Sequence, residues 1–152
     1  MITIDEYIDR YARSRTTDAA DVILRSLPEA IALWRSEQQE PLTPLTKEML
    51  MVDAATGIVE IVDGNAEASA SPVSENDDVK AFGEIATELL QQMPYTNHRV
   101  TQLVQDCRNG KYATMGDVML AVEKRRSNVL YIVIIAAIAL LLALLALLNH
   151  TL

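Results

Sequence analysis

The chain has 152 residues, enough for one domain, and carries a formal net charge of −8. That excess of acid argues against a nucleic-acid partner, whose phosphates would repel it. One cysteine, Cys107, excludes an internal disulfide and any multi-cysteine metal site, and two histidines, His98 and His150, leave a zinc site or a Ser-His-Asp triad little to draw on.

In chain order, Thr3-Ile4-Asp5-Glu6 is a capping-box pattern. Ile4, Tyr7, Ile8 and Tyr11 follow at helical spacing and predict a helix ending near Arg15. A second helix starts near Thr17 or Asp18, with Ala20, Ile23, Leu24, Leu27, Ile31 and Trp34 on one face. Pro28 lies inside it and predicts either a kink or a new helix capped at Ser26. Pro41 and Pro44 bracket a loop. Residues 50–52 and 58–62 read as two short strands, joined through Asp53-Ala54-Ala55-Thr56-Gly57 into one hairpin.

Residues 64–76 are rich in Gly, Ala, Ser and Asn and predict a mobile loop. A third helix from about Asp77 carries the stripe Phe82, Ile85, Ala86, Leu89, Leu90 and Met93, and Pro94 stops it. His98 then reads as a loop residue. A fourth helix places Val100, Leu103, Val104 and Cys107 inward and ends near Gly110. Thr114 and Asp117 cap a fifth, with Val118, Ala121 and Val122 inward.

The strongest single signal is VLYIVIIAAIALLLALLALL, residues 129–148, which has no charge. As a helix it spans about 30 Å, the thickness of a hydrocarbon core. Its Leu, Ile and Val residues favour insertion by about 4 to 8 kcal/mol. Val129 to Leu148 thus read as a transmembrane anchor, with Leu130 inside the run and the Tyr131 ring near one interface. Lys124, Arg125 and Arg126 precede the run, and the positive-inside rule puts the N-terminal domain in the cytoplasm and the C-terminus outside. The layout is that of a single-pass, tail-anchored protein: residues 1–126 as cytoplasmic domain, 127–152 as anchor with a short tail. Ala136, Ala137, Ala139, Ala143 and Ala146 permit close approach of a second such helix in lipid, hence self-association.

The order of elements in residues 1–125 resembles the C-terminal lobe of the protein kinase fold. ITIDEYIDRY is similar to the helix after the kinase hinge, and DVILRSLPEAIALWRSEQ to the long helix before the catalytic loop. LTPLTKEMLMVDAATGIVEIVDG resembles the catalytic loop, its hairpin and the start of the metal-binding loop, and NDDVKAFGEIATELL the central helix with its opening aspartate. VTQLVQDCRNGKYATMGDVMLAVEKR resembles the closing helices. The fold class expected is therefore mainly α with one short β-hairpin, a kinase C-lobe-like helical domain plus one C-terminal transmembrane helix.

The resemblance also implies that the chemistry is gone. Leu42-Thr43-Pro44 stand where kinases carry His-Arg-Asp, and Pro44 has no carboxylate to orient a hydroxyl. Met49 replaces the metal-binding Asn, and a thioether is a poor ligand for Mg²⁺. Asp63 aligns with the Asp of Asp-Phe-Gly, but Gly64 and Asn65 follow it, and Tyr112-Ala113 replace an Arg-Pro pair. No Gly-rich loop or strand lysine precedes the lobe. Asp78 keeps the implied structural task of holding the catalytic-loop backbone. No catalytic residue, metal or cofactor is expected.

Segment 36–88 sets twelve acidic residues against Lys47 and Lys80, a formal charge of −10. Without a covering lobe, Leu42, Leu45, Met49 and Met51 are expected to form an exposed apolar patch for a partner protein, with Glu37, Glu40 and Glu48 on its rim and a basic partner favoured. The function expected is a non-catalytic, membrane-anchored interaction or scaffold module of pseudokinase type. The alternatives are the C-lobe half of a split kinase, completed by another chain, and an unrelated small helical membrane adaptor.

Overall fold

The computed structural model describes residues 1–62 and 70–150, with side chains for residues 1–15, 17–62, 70–124 and 132–142. The chain is mainly helical, with a small antiparallel sheet. In order it forms β1 (Ile2–Thr3), α1 (Ile4–Tyr11), α2 (Thr16–Asp21), a π-helical segment (Val22–Ser26), α3 (Leu27–Glu37), a 3-10 turn (Lys47–Met49), β2 (Leu50–Val52), β3 (Val59–Ile61), α4 (Glu75–Gln91), α5 (His98–Arg108) and α6 (Met115–His150). Met1–Met119 form one compact unit and Leu120–Leu152 a second. The first is shorter than the 1–126 read from the sequence, because Val118, in the first turn of α6, is the last residue of the buried core.

Thr3 caps α1 as expected, accepting the Glu6 N–H at 3.2 Å. The same residue does a second job that the sequence reading missed. Ile2 and Thr3 pair antiparallel with Val52 and Met51, so the expected hairpin is the inner part of a three-stranded sheet of order β1-β2-β3. Leu50 pairs with Ile61 and Val52 with Val59. Alternation turns Leu50, Val52 and Val59 into the core, leaving Met51 half-buried and Glu60 exposed. In the hairpin loop the Asp53 carboxylate accepts from the Ala55 N–H and the Thr56 hydroxyl, both at 2.9 Å. These bonds, the backbone one first, hold the Asp53 carboxyl below its ordinary range. Gly57 closes the loop at φ +71, a conformation a side chain would strain.

The capped new start expected at Ser26, one of the two outcomes for Pro28, does not form. Ser26 stays helical and caps nothing with its side chain. Instead the turn before it widens, and the Leu27 N–H bonds the Val22 carbonyl five residues back. A proline ring clashes with the carbonyl four residues earlier and removes a donor. One π turn accommodates both without ending the helix.

Ser74 and Asp77 form a reciprocal capping box that starts α4 at Glu75, two residues before the expected start. The Asn97 side chain caps α5, so His98 is its first residue and not a loop residue. Thr114 and Asp117 cap α6 reciprocally, each bond 3.2 Å. The core gathers Ile4 and Ile8 of α1, Ile23 of the π segment, Leu27 and Ile31 of α3, Leu50 and Val52 of β2, Phe82 and Leu89 of α4, and Val104 and Cys107 of α5.

Within the uncharged run the described side chains are those at 132–142, all exposed, about 16 Å of helix. Among the described residues no helix is long and apolar enough to cross a membrane. Lys124 is exposed. The side chains of Arg125, Arg126, Val129, Leu130, Tyr131 and Leu148 lie outside the described residues, as do Asp63, Gly64, Asn65 and most of the loop expected at 64–76.

The α4–α5 pair packs backbone against Gly83. A Cβ built there falls 2.4 Å from the Arg108 backbone nitrogen and 2.8 Å from its Cα. Neither atom belongs to a flexible side chain, so Gly83→Ala must push the helices apart. Overpacking of this kind costs about 1–3 kcal/mol. At Gly116 the nearest atom is the Thr114 hydroxyl oxygen at 3.5 Å. Urea unfolding is expected to show a clearly lower midpoint for Gly83→Ala and a near-wild-type midpoint for Gly116→Ala.

Candidate functional site

The loop between α3 and β2 carries the residues singled out for docking, and one arginine fixes it. Arg35, near the end of α3, meets Asp78 with two parallel bonds, Nε to Oδ2 and Nη2 to Oδ1, each 2.7 Å. Its Nη2 also donates to the Thr43 carbonyl and its Nη1 to Gln38 Oε1, each at 2.8 Å. The guanidinium carbon lies 4.1 Å from the centre of the Trp34 ring. A planar fork suits a carboxylate in this bidentate way, and stacking covers its face. Asp78 is 3% exposed and is the one buried charged residue among the described residues. Without such a partner its carboxylate would be strongly destabilised there.

The resemblance assigned the loop backbone to Asp78 directly. Asp78 reaches it through Arg35, which sequence reasoning did not single out. A signal existed: Asp78, Phe82, Ile85 and Leu89 share one face of α4, so an aspartate heads an apolar stripe and needs a cation. Segment 36–88 offers two lysines, and Arg35 lies just before it.

Lys47 makes a second tie. Its ammonium meets Asp5 of α1 at 3.0 Å and also Glu88 of α4. The hydrogen bonds to Glu88 and then to Asp5 raise its pKa above the ordinary lysine value. The loop is held further where the Val73 N–H bonds the Pro41 carbonyl at 2.7 Å.

These ties correct the expected apolar patch. Leu45 is 7% exposed and Met49 3%, both within the core. Leu42 and Met51 are half-buried. The physical reason is the N-terminus: β1 pairs along β2 and α1 packs against it, so the strand has no open apolar flank. Glu37, Glu40 and Glu48 are exposed as expected. The Glu48 carboxyl is held below its usual range, first by its own backbone N–H and then by Thr46. What remains on this face is acid around an anchored loop.

The residues aligned with kinase chemistry differ in exposure where they are described. Pro44 is exposed, Met49 is inside, and Asp63 lies outside the described residues. The Tyr112 carbonyl accepts from Asn76 Nδ2 at 2.9 Å. Among the described residues no group of three or more His, Cys, Asp or Glu side chains is arranged to hold a metal ion. A hollow of about 380 Å³ adjoins the ion pair, lined by Ile31, Ala32, Glu75, Thr114 and Met115 with Arg35 and Asp78. Its two central charges are committed to each other, so they offer a ligand little. Comparison with protein-family models, with curated proteins and with solved structures finds no match.

Arg35→Ala leaves Asp78 buried and unpaired, and is expected to cost about 3–5 kcal/mol in unfolding followed by Trp34 fluorescence. Replacing the pair together, Arg35→Met with Asp78→Leu, should recover most of that loss, since no charge then remains buried. Lys47 adds a pH dependence. Its pKa is raised on folding, so its contribution is complete below the free lysine value of about 10.4 and is lost as pH climbs through the higher folded value. Lys47→Met should flatten stability against pH in that alkaline window, read from urea midpoints across it.

Proposed function

We propose that this chain is a non-catalytic interaction module, held at a membrane by the apolar part of α6 and presenting an acidic helical domain. The observation that carries the reading is the run 129–148, twenty residues without a charge, within one helix and just after Lys124-Arg125-Arg126. A helix that is apolar on every side finds no stable place in water. Its described side chains, from Ile132 to Leu142, are exposed. Residues 1–119 contain ten basic and twenty acidic residues, a formal charge of −10. That field repels the anionic lipids of a cytoplasmic leaflet and attracts basic partners.

The kinase C-lobe likeness is kept as part of the proposal. Its support is the aspartate at the opening of α4, buried and linked through Arg35 to the loop carbonyl at Thr43. The hairpin between α3 and α4 favours it over an unrelated helical adaptor, which has no need of one. Met49 in the core and Pro44 without a carboxylate favour an interaction role over catalysis.

Membrane fractionation tests the reading. The full chain is expected to stay with membranes through a high-salt wash and to leave only with detergent. Residues 1–126 alone should be soluble and keep a helical circular-dichroism signal. A full chain released by salt, or a truncated chain that still pellets, would overturn it.

A further inference from the structure

β3 is the outer strand of the sheet, and among the described residues no strand lies along its far edge. The Asp53 N–H bonds the Ile58 carbonyl and the Val62 N–H bonds the Met49 carbonyl, each at 2.9 Å. In an antiparallel pair the bonded residues alternate, so Ile58, Glu60 and Val62 turn their backbone groups toward β2. Val59 and Ile61 turn theirs to the far edge, where they have no hydrogen-bond partner among the described residues. Such an edge is a template for a further strand.

The same alternation places the side chains. Val59 is in the core, and Ile58, Glu60 and Val62 form a row on the opposite face of the sheet. Ile58 is 57% exposed and Val62 51%, and half-buried Met51 lies directly across from Glu60. Two exposed apolar side chains therefore flank one carboxylate, each about 7 Å from it along the strand. Glu60 is in no ion pair among the described residues.

We propose that an extended segment of a partner protein pairs with β3, setting a lysine or arginine opposite Glu60 and an apolar residue two places to either side, against Ile58 and Val62. Charge selects this occupant. A second copy paired about the middle of β3 would set Glu60 against Glu60, and like charges directly opposite are destabilising. Two domains that each carry −10 over residues 1–119 repel one another as well. A cation in the same place makes a favourable cross-strand pair, and its apolar neighbours cover side chains that β3 leaves in water. The backbone of Val59 and Ile61 supplies the affinity of strand addition, and the row of Ile58, Glu60 and Val62 supplies the choice of partner. The proposal rests on the reading of the domain as an interaction module and names the chemistry of its partner.

The test uses the full chain in phosphatidylcholine nanodiscs, a neutral lipid that does not itself attract the probe. The probe is a capped Thr-Val-Thr-Lys-Thr-Val-Thr peptide, with glutamate in place of lysine as the control. Followed by NMR, the Val59 and Ile61 amides are expected to gain saturable protection from hydrogen exchange with the lysine peptide only. Glu60→Lys, at an exposed position, should weaken that binding about tenfold and admit the glutamate peptide, with little change in melting temperature. Ile58→Thr should weaken the lysine peptide without admitting the other. No saturable protection at Val59 and Ile61, or equal binding of the two peptides, would overturn the proposal. Protection that appears without peptide as the nanodiscs are concentrated would overturn it in favour of a second copy. Shifts confined to the neighbourhood of Glu37, Glu40 and Glu48 would overturn the strand edge and leave the interaction module standing, whereas that reading fails on membrane release.

Discussion

A buried carboxylate is the constraint around which the domain is arranged. Asp78 sits in the core-facing row of α4, where an isolated charge would be intolerable. Its presence demands a cation at hydrogen-bond distance, and Arg35 supplies one from the end of α3. The demand is geometric as well as electrostatic. Two parallel bonds favour a guanidinium and a carboxylate lying near one plane, which ties α3 to α4. The remaining donors of the same guanidinium then determine where the chain goes after α3, through Gln38 and the Thr43 carbonyl.

From that fixed loop the rest follows in sequence. The chain leaves it with Leu45 and Met49 already in the core, and enters β2 with Leu50 and Val52 facing inward. The strand is then free along one edge, and residues 2–3 occupy it. Closing the N-terminus over the strand brings Asp5 to Lys47, which also holds Glu88. Three helices, α1, α3 and α4, thus converge on one short stretch, and two cations, Arg35 and Lys47, make the connections. In a domain with twice as many acids as bases, these two stand where the fold needs them.

The same economy of positive charge shapes the surface. Glu37 at the end of α3, with Glu40 and Glu48 beyond it, is exposed beside the anchored loop, and Asp18, Asp21 and Glu29 line a polar hollow of about 350 Å³ with Tyr7 and Tyr11. The π turn forced by Pro28 lies directly in the wall of that hollow, through Val22, Arg25 and Ser26. An irregularity that begins as a steric answer to a proline therefore also sets the spacing of charges along a helix face. In the proposed role, an anionic bilayer surface would repel the acidic domain and leave its faces open to basic partners.

Much of the secondary structure was legible because its causes are local. Apolar stripes at helical spacing, the Thr3 and Thr114 caps, the Pro94 stop and the Asp53–Gly57 turn act over three to five residues, and each appears where the sequence placed it. The uncharged run in α6 is legible for the same reason, since length and composition alone define it. What the tertiary structure decided depends on partners dozens of residues apart. Two residues are too short a run to announce a strand, so β1 exists because β2 had an open edge. Leu45 and Met49 read as surface on the strength of a resemblance, and became core because the N-terminus closes over the adjoining strand. Arg35 looked like an ordinary helix-end cation until Asp78, 43 residues later, gave it a buried carboxylate to hold. Tyr7 is a further case: the helical pattern placed its ring in the core, whereas the approach of the Gly57 turn to its hydroxyl needed a segment 50 residues away.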